Sequence, residues 1–279
     1  MEDRSSKIQA IEYKPWVGER TGYFRRIFVM TSSIFLTKLK KSKGIKILLL
    51  LGMLLVHAFP LLFQPLLPHE TLEAEVMRNH LNGNLLFIFT ILLTSVAASD
   101  LIAQDLQSNS FALYFSRPLR PGDYILGKFS GLFSILALFC LIPLLTLGVA
   151  MIGTQSSTNY IASLEILGRT ILAGFFVSMV FIPYGLMVSS LTENETYAGV
   201  GSFIGFFVMG LVAGIFSNFD PNWKLIDPST IVGYTVNLLF ETSLPESIEP
   251  ALYASGLLVL MVVPLLIIWF RIYWKAIGK

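Results

Sequence analysis

The chain has 279 residues, 54% of them hydrophobic and only 14% charged, against the roughly 25% charged that soluble globular domains carry. That balance excludes an ordinary soluble enzyme or binding domain and leaves a polytopic membrane protein. The single cysteine, Cys140, sits in an apolar run and excludes a disulfide framework or a cysteine-based zinc site, while the net charge of +2 hides a strong segregation of basic residues along the chain.

Taken in chain order, the first 44 residues are polar to amphipathic and hold no short apolar core ending in a small-residue cleavage site. Insertion is therefore expected to be directed by the first spanning helix. Within this arm, Phe24, Ile27, Phe28, Ile34, Phe35 and Leu39 recur at helical spacing, with Arg25, Arg26, Ser32, Ser33, Lys38 and Lys41 mostly on the other side. The pattern predicts an amphipathic helix in the inner headgroup region, a topology anchor or a lever touching a cytoplasmic partner. Gly44 is expected to turn the chain into the membrane.

A hydrocarbon core about 30 Å thick takes about 20 apolar residues of helix, and six stretches qualify: roughly 45–67, 85–103, 129–152, 166–191, 197–217 and 253–270. The fold class is therefore an all-α integral membrane protein, with an arm over 1–44 and one six-span domain over 45–279. Seventeen of the twenty Lys and Arg residues fall in the arm, the second loop and the C-terminus, leaving Arg78, Arg169 and Lys224 for the opposite face. By the positive-inside rule both termini are cytoplasmic, in an inner or plasma membrane. Pro60, Pro143 and Pro183 lie within spans one, three and four as expected kinks.

The first outer loop and span one hold all three histidines. His57 lies near mid-membrane, where an ionisable ring is either functional or a neutral group hydrogen-bonded to a neighbouring helix. His69 and Glu73 can share a helical face with Glu70, Met77 and His80 nearby, a candidate metal site at the outer mouth. The last outer loop, 218–250, contains a ten-residue apolar run over 231–240 flanked by Pro228 and Pro245. It is too short to cross and predicts a re-entrant or interfacial segment, a seventh span being the alternative. Span five carries Gly201, Gly205, Gly210 and Gly214 in two small-xxx-small pairs, suited to helix packing within one copy or at a dimer seam. The sequon at Asn194 falls in the predicted cytoplasmic turn between spans four and five, so glycosylation is not expected.

The second loop is the most informative segment. The polar run Gln107 to Ser110 can cap a short helix over Phe111, Ala112, Leu113, Tyr114 and Phe115, which Arg117-Pro118 then ends. Arg120-Pro121-Gly122-Asp123 reads as a turn, and Gly127-Lys128 opens the third span. Gly122 to Lys128 has the opening of a P-loop, but Phe129 stands where Ser or Thr must ligate magnesium and no strand precedes it.

This loop resembles that of ABC-2 type ABC transporter permeases, in which an acid, three residues, Gly-Thr, an apolar patch, Pro, a basic residue and Leu-Gly-Lys follow one another. Asp105 takes the acid place, Asn109-Ser110 replace Gly-Thr, Phe111 to Phe115 form the patch, and Pro118, Leu126, Gly127 and Lys128 match directly. Departures are Asp for the commoner Glu, Asn109 for Gly, and the basic Arg120 beside Pro121. The resemblance implies a transport permease subunit without an ATPase site of its own, requiring no cofactor beyond ATP bound by an ABC ATPase partner in trans. It further implies two copies, a homodimer or pseudo-dimer, in the lipid membrane, with export the commoner direction. The helix around Phe111 would be the coupling helix seated in a cleft of the ATPase, with Asp105, Arg117 and Arg120 as charged rim contacts. The basic arm suits anionic lipid rather than nucleic acid. Two rival readings are a membrane-embedded metal-dependent enzyme built on His57 or the outer histidines, and a non-transporting membrane anchor for a cytoplasmic complex.

Overall fold

In a computed structural model the structure describes residues 22–58, 74–115, 119–154 and 160–277. Among these, secondary structure is helical throughout, because a segment in hydrocarbon must satisfy its own backbone groups. Helix α1 is Tyr23–Lys41 and α2 is Lys43–Gly52, which continues into a π-helical turn over Met53–Ala58. Then come α3, Ala74–Leu81; α4, Asn84–Ala98; the short α5, Ala103–Gln107; and α6, Phe111–Phe115. Helix α7 is Pro121–Thr154, α8 Tyr160–Val180, α9 Ile182–Leu191 and α10 Glu195–Phe216. A 3₁₀ turn, Pro221–Ile226, leads into α11, Pro228–Leu239, and α12 is Pro250–Ile277.

Five helical stretches are long and apolar enough to cross a membrane: Asn84–Gln107, Pro121–Thr146, Ile161–Leu191, Glu195–Phe216 and Pro250–Lys275. They carry predicted spans two to six. The predicted first span begins in α2 and its π turn, and the rest of it, with Pro60, lies outside the described residues. The core is the seam between α4, α7, α8 and α9, where Leu93, Ala97, Leu132, Leu136, Val177 and Leu186 are fully or nearly fully buried. By contrast α10 and α12 bury only 17% of their apolar windows, against 56% for the stretch containing α4, so these two helices form the periphery of the bundle.

Three boundaries differ from the sequence expectation. Helix α1 ends at Ser42, not Gly44: the Ser42 hydroxyl accepts a hydrogen bond from the Ile45 N–H at 3.3 Å and caps α2. The third span begins at Pro121 rather than near 129, because Pro121 takes a first-turn helical position, where its missing N–H is no loss. Span four is two helices, broken at Phe181, with Pro183 in the first turn of α9. Pro143 and Pro264 lie inside α7 and α12 without ending them.

The apolar run over 231–240 is helix α11, at 12 residues about 18 Å long and too short to cross. Asp227 caps it by accepting from the N–H groups of Ser229 and Thr230, both at 3.1 Å. It packs Ile231, Val232 and Val236 into the bundle against α8, α3 and α12. Asn82 donates to Asn237 at 2.8 Å and Arg78 to Thr242 at 2.8 Å, tying α3 and the turn after it to α11.

Candidate functional site

The second loop folds as a compact knuckle. Asn109 adopts φ 50°, the left-handed conformation that glycine tolerates best and asparagine next. This explains how Asn109 stands where the resembled motif has glycine. The Ser110 carbonyl then accepts from the Leu113 and Tyr114 N–H groups, each at 3.0 Å, and starts α6 where the sequence places it.

Within α6 the apolar patch divides. Phe111 is 6% exposed, and its ring packs on Tyr124, centroids 5.4 Å apart. Tyr114 also leans on Tyr124, at 5.5 Å, and burial followed by the Asp105 carboxylate pushes its phenol up. Leu113 points outward, 68% exposed. Two aromatic anchors thus hold the helix down while a leucine is presented. Helix α6 also touches α12. The side chain of Phe115 and the residues Arg117 and Pro118 lie outside the described ones.

Asp105 faces inward. It accepts from the Tyr124 hydroxyl at 2.6 Å and forms an ion pair with Lys128 Nζ at 2.7 Å, both side chains being mostly buried. The Lys128 ammonium also lies 5.2 Å from the Tyr124 ring centroid, a cation–π distance. The acid and lysine of the motif are therefore partners within one chain. Gly127 serves the same packing: a Cβ there would run into the Met30 side chain, so the glycine admits α1 against α7. Gly122 to Lys128 forms the first turns of α7; no phosphate-cradling loop is present in this stretch. Arg120 is exposed, with its backbone N–H donating to Asp123 at 3.3 Å.

Around this knuckle the neighbouring ends are tied together. Lys38 of α1 is buried and paired with Asp100; burial pulls its ammonium down and the Asp100 carboxylate opposes that shift. The Ser189 hydroxyl accepts from the Ile102 and Ala103 N–H groups, both at 3.1 Å, and donates to the Ser99 carbonyl at 3.0 Å. Arg271 Nε donates to the Ser190 carbonyl at 2.7 Å. Specific bonds thus join α1, the segment after α4, α9 and α12 beside the knuckle. Sequence reasoning named Asp105, Gly127 and Lys128 but missed Tyr124, Lys38, Asp100 and Ser189. The acid at 105 and tyrosine at 124 flanking an apolar patch were the signal available.

The apolar residues of the predicted amphipathic helix divide: Ile34, Phe35 and Leu39 pack on the core and Ile27 is half-buried, while Phe24 and Phe28 are exposed at 83% and 69%. From the basic side, Lys38 turns inward and is buried. The span-five glycines also separate by role. Gly205 receives the Tyr184 hydroxyl of α9 and Gly201 sits by Val188, whereas Gly214 faces open space. His57 meets His80, Nδ1 to Nε2, at 3.0 Å. His69, Glu70 and Glu73 lie outside the described residues, among which no three His, Cys, Asp or Glu side chains converge as metal ligands.

Among curated proteins none matches the chain. A family model described as ABC-2 family transporter protein matches residues 35–219, a stretch running from α1 through the knuckle to the end of α10. With that match over about two thirds of its length and five long apolar helices behind it, the chain belongs to the ABC-2 family of transporter proteins and is a multi-pass membrane permease.

Proposed function

We propose that the chain is the six-span membrane subunit of an ABC transporter, with both termini in the cytoplasm of a cell membrane, driven by a separate ATPase that seats α6. Two copies form the translocation path, and export is the direction the family favours. The observation that carries the reading is the exposed Leu113 on a helix whose other described aromatics are anchored inward. A pinned helix offering one apolar knob transmits force, whereas a loose loop absorbs it. The lysine- and arginine-rich face is the same face that carries the knuckle, which supports a cytoplasmic position for it. The exposed phenylalanines of α1 suit a helix resting in the inner leaflet.

The test is co-expression of the full chain with candidate stand-alone ABC ATPases, followed by detergent purification and ATPase assay. Leu113→Asp is expected to keep the membrane fold and weaken the complex by at least about tenfold, as loss of a central apolar anchor does. Phe111→Ala is expected to damage the permease itself. A complex indifferent to Leu113→Asp, or no complex with any such ATPase, would sink the coupling role of α6.

A further inference from the structure

Deeper in the bundle than the knuckle, the π-helical turn Met53–Ala58 of α2 carries His57, which is buried. Single π turns are rare and concentrate at functional positions. Gly52, one turn earlier, has room for no Cβ against Phe139 and Phe89, so α2 is pressed onto α7 here. The His57 ring stacks edge-on to Phe139, centroids 5.2 Å apart. Its Nδ1 meets Nε2 of His80 on α3 at 3.0 Å, and its Nε2 is buried without a hydrogen bond in this conformation.

The backbone carbonyl of Phe139 lies close to the His57 ring, and with Nδ1 taken by His80 the nitrogen left to it is Nε2. Pro143 lies four residues further along α7 and has no N–H, so this carbonyl lacks the donor that a regular helix supplies. A buried imidazole with one nitrogen unpartnered thus lies beside a carbonyl without its helical donor. With Nε2 carrying the proton toward the carbonyl, Nδ1 of His57 must accept, and His80 must donate from its own Nε2. The remaining basic lone pair of the pair is Nδ1 of His80, on a ring only half-buried. Two imidazolium ions cannot coexist at this separation away from water.

We propose that His57 and His80 form a one-proton site, loaded through His80 from the α3 and α11 end, whose occupancy is felt at the stretch of α7 leading to Pro143. Among the described residues, the charged groups on the elements packed around the pair are engaged elsewhere: Arg78 bonds to Thr242 and Glu75, and Arg169 pairs with Glu165 and Glu241. The Cys140 thiol sits by Thr90, and burial raises the Tyr234 phenol of α11. Among the described residues, α4 contributes no ionisable side chain to this region. Burial also lowers the His80 imidazole.

The chain has three histidines, so a ¹⁵N-histidine NMR titration of the full-length protein in lipid nanodiscs resolves the pair directly. The expected result is an Nε2–H tautomer for His57 at neutral pH and one protonation step, on His80, at a midpoint below that of free histidine. Backbone signals of residues 139–143 should move with the same midpoint. His57→Gln should abolish the movement at 139–143. Pro143→Ala, which gives the Phe139 carbonyl a backbone donor at the loss of only the half-buried proline ring, should cost His57 its tautomer preference. Independent steps on the two rings, an Nδ1–H tautomer at His57, or a titration unchanged by Pro143→Ala would each overturn the proposal.

Discussion

At the scale of single residues, the Asp105–Lys128 pair sets the stakes of the knuckle. Both side chains are mostly buried, at 13% and 9% exposed, so removing one partner strands the other charge away from water. Lys128→Met is expected to destabilise the detergent-solubilised protein by about 3–5 kcal/mol. The double variant Asp105→Asn with Lys128→Met should recover most of that loss, since a neutral amide can still accept from the Tyr124 hydroxyl. Thermal unfolding of the three proteins decides it; equal stability of single and double variants would mean the pair carries no coupling. That partnership was not legible in the sequence, where the two residues lie 23 positions apart and each charge reads as solvated. The glycine at 127 was named by resemblance alone, and its reason, the approach of Met30, needed a third element to be in place.

At the scale of elements, hydropathy located the five long spans because lipid admits so few alternatives. Boundaries were less legible where one residue type serves two roles. Proline before glycine and aspartate reads as a turn, yet Pro121 opens a helix, and the basic face of α1 reads as meeting the lipid headgroups although Lys38 is buried on Asp100. Helix α11 was found by its length, and its anchorage supplies a pH prediction. The Arg169 guanidinium of α8 hydrogen-bonds to Glu241 and holds its carboxyl below the usual carboxylate range. An acid whose folded pKa is depressed contributes stability above its unfolded pKa and loses it as pH falls through the folded value. Protection of the amides at residues 239–244, taken relative to the intrinsic exchange rate at each pH, should therefore fall on acidification below about pH 4, and Glu241→Gln should already be less protected at pH 7. Unchanged protection across that range would show that the bridge does not hold the turn. Gly205, which receives the Tyr184 hydroxyl, belongs to this scale as well. Gly205→Val is expected to destabilise by about 1–3 kcal/mol through overpacking of α9 on α10, whereas Gly214→Val, in open space, should be neutral in thermal unfolding. A neutral Gly205→Val would place the close approach elsewhere.

At the scale of the whole molecule, the buried and solitary Cys140 makes orientation measurable. In a Cys140→Ala background, Leu113→Cys and Phe219→Cys occupy exposed positions that the charge distribution assigns to opposite faces. A membrane-impermeant maleimide applied to intact cells is expected to label position 219 and spare 113; labelling of both from one side would overturn the topology. The break at Phe181 bears on the molecule in another way. Its two halves answer to different neighbours: α8 holds α3 and α11, while α9 is bonded through Ser189 and Ser190 to the segment after α4 and to Arg271 of α12. A continuous span would be a rigid rod, stiff from leaflet to leaflet. A rod interrupted at mid-depth is instead two storeys on one staircase, each footed on its own set of neighbours.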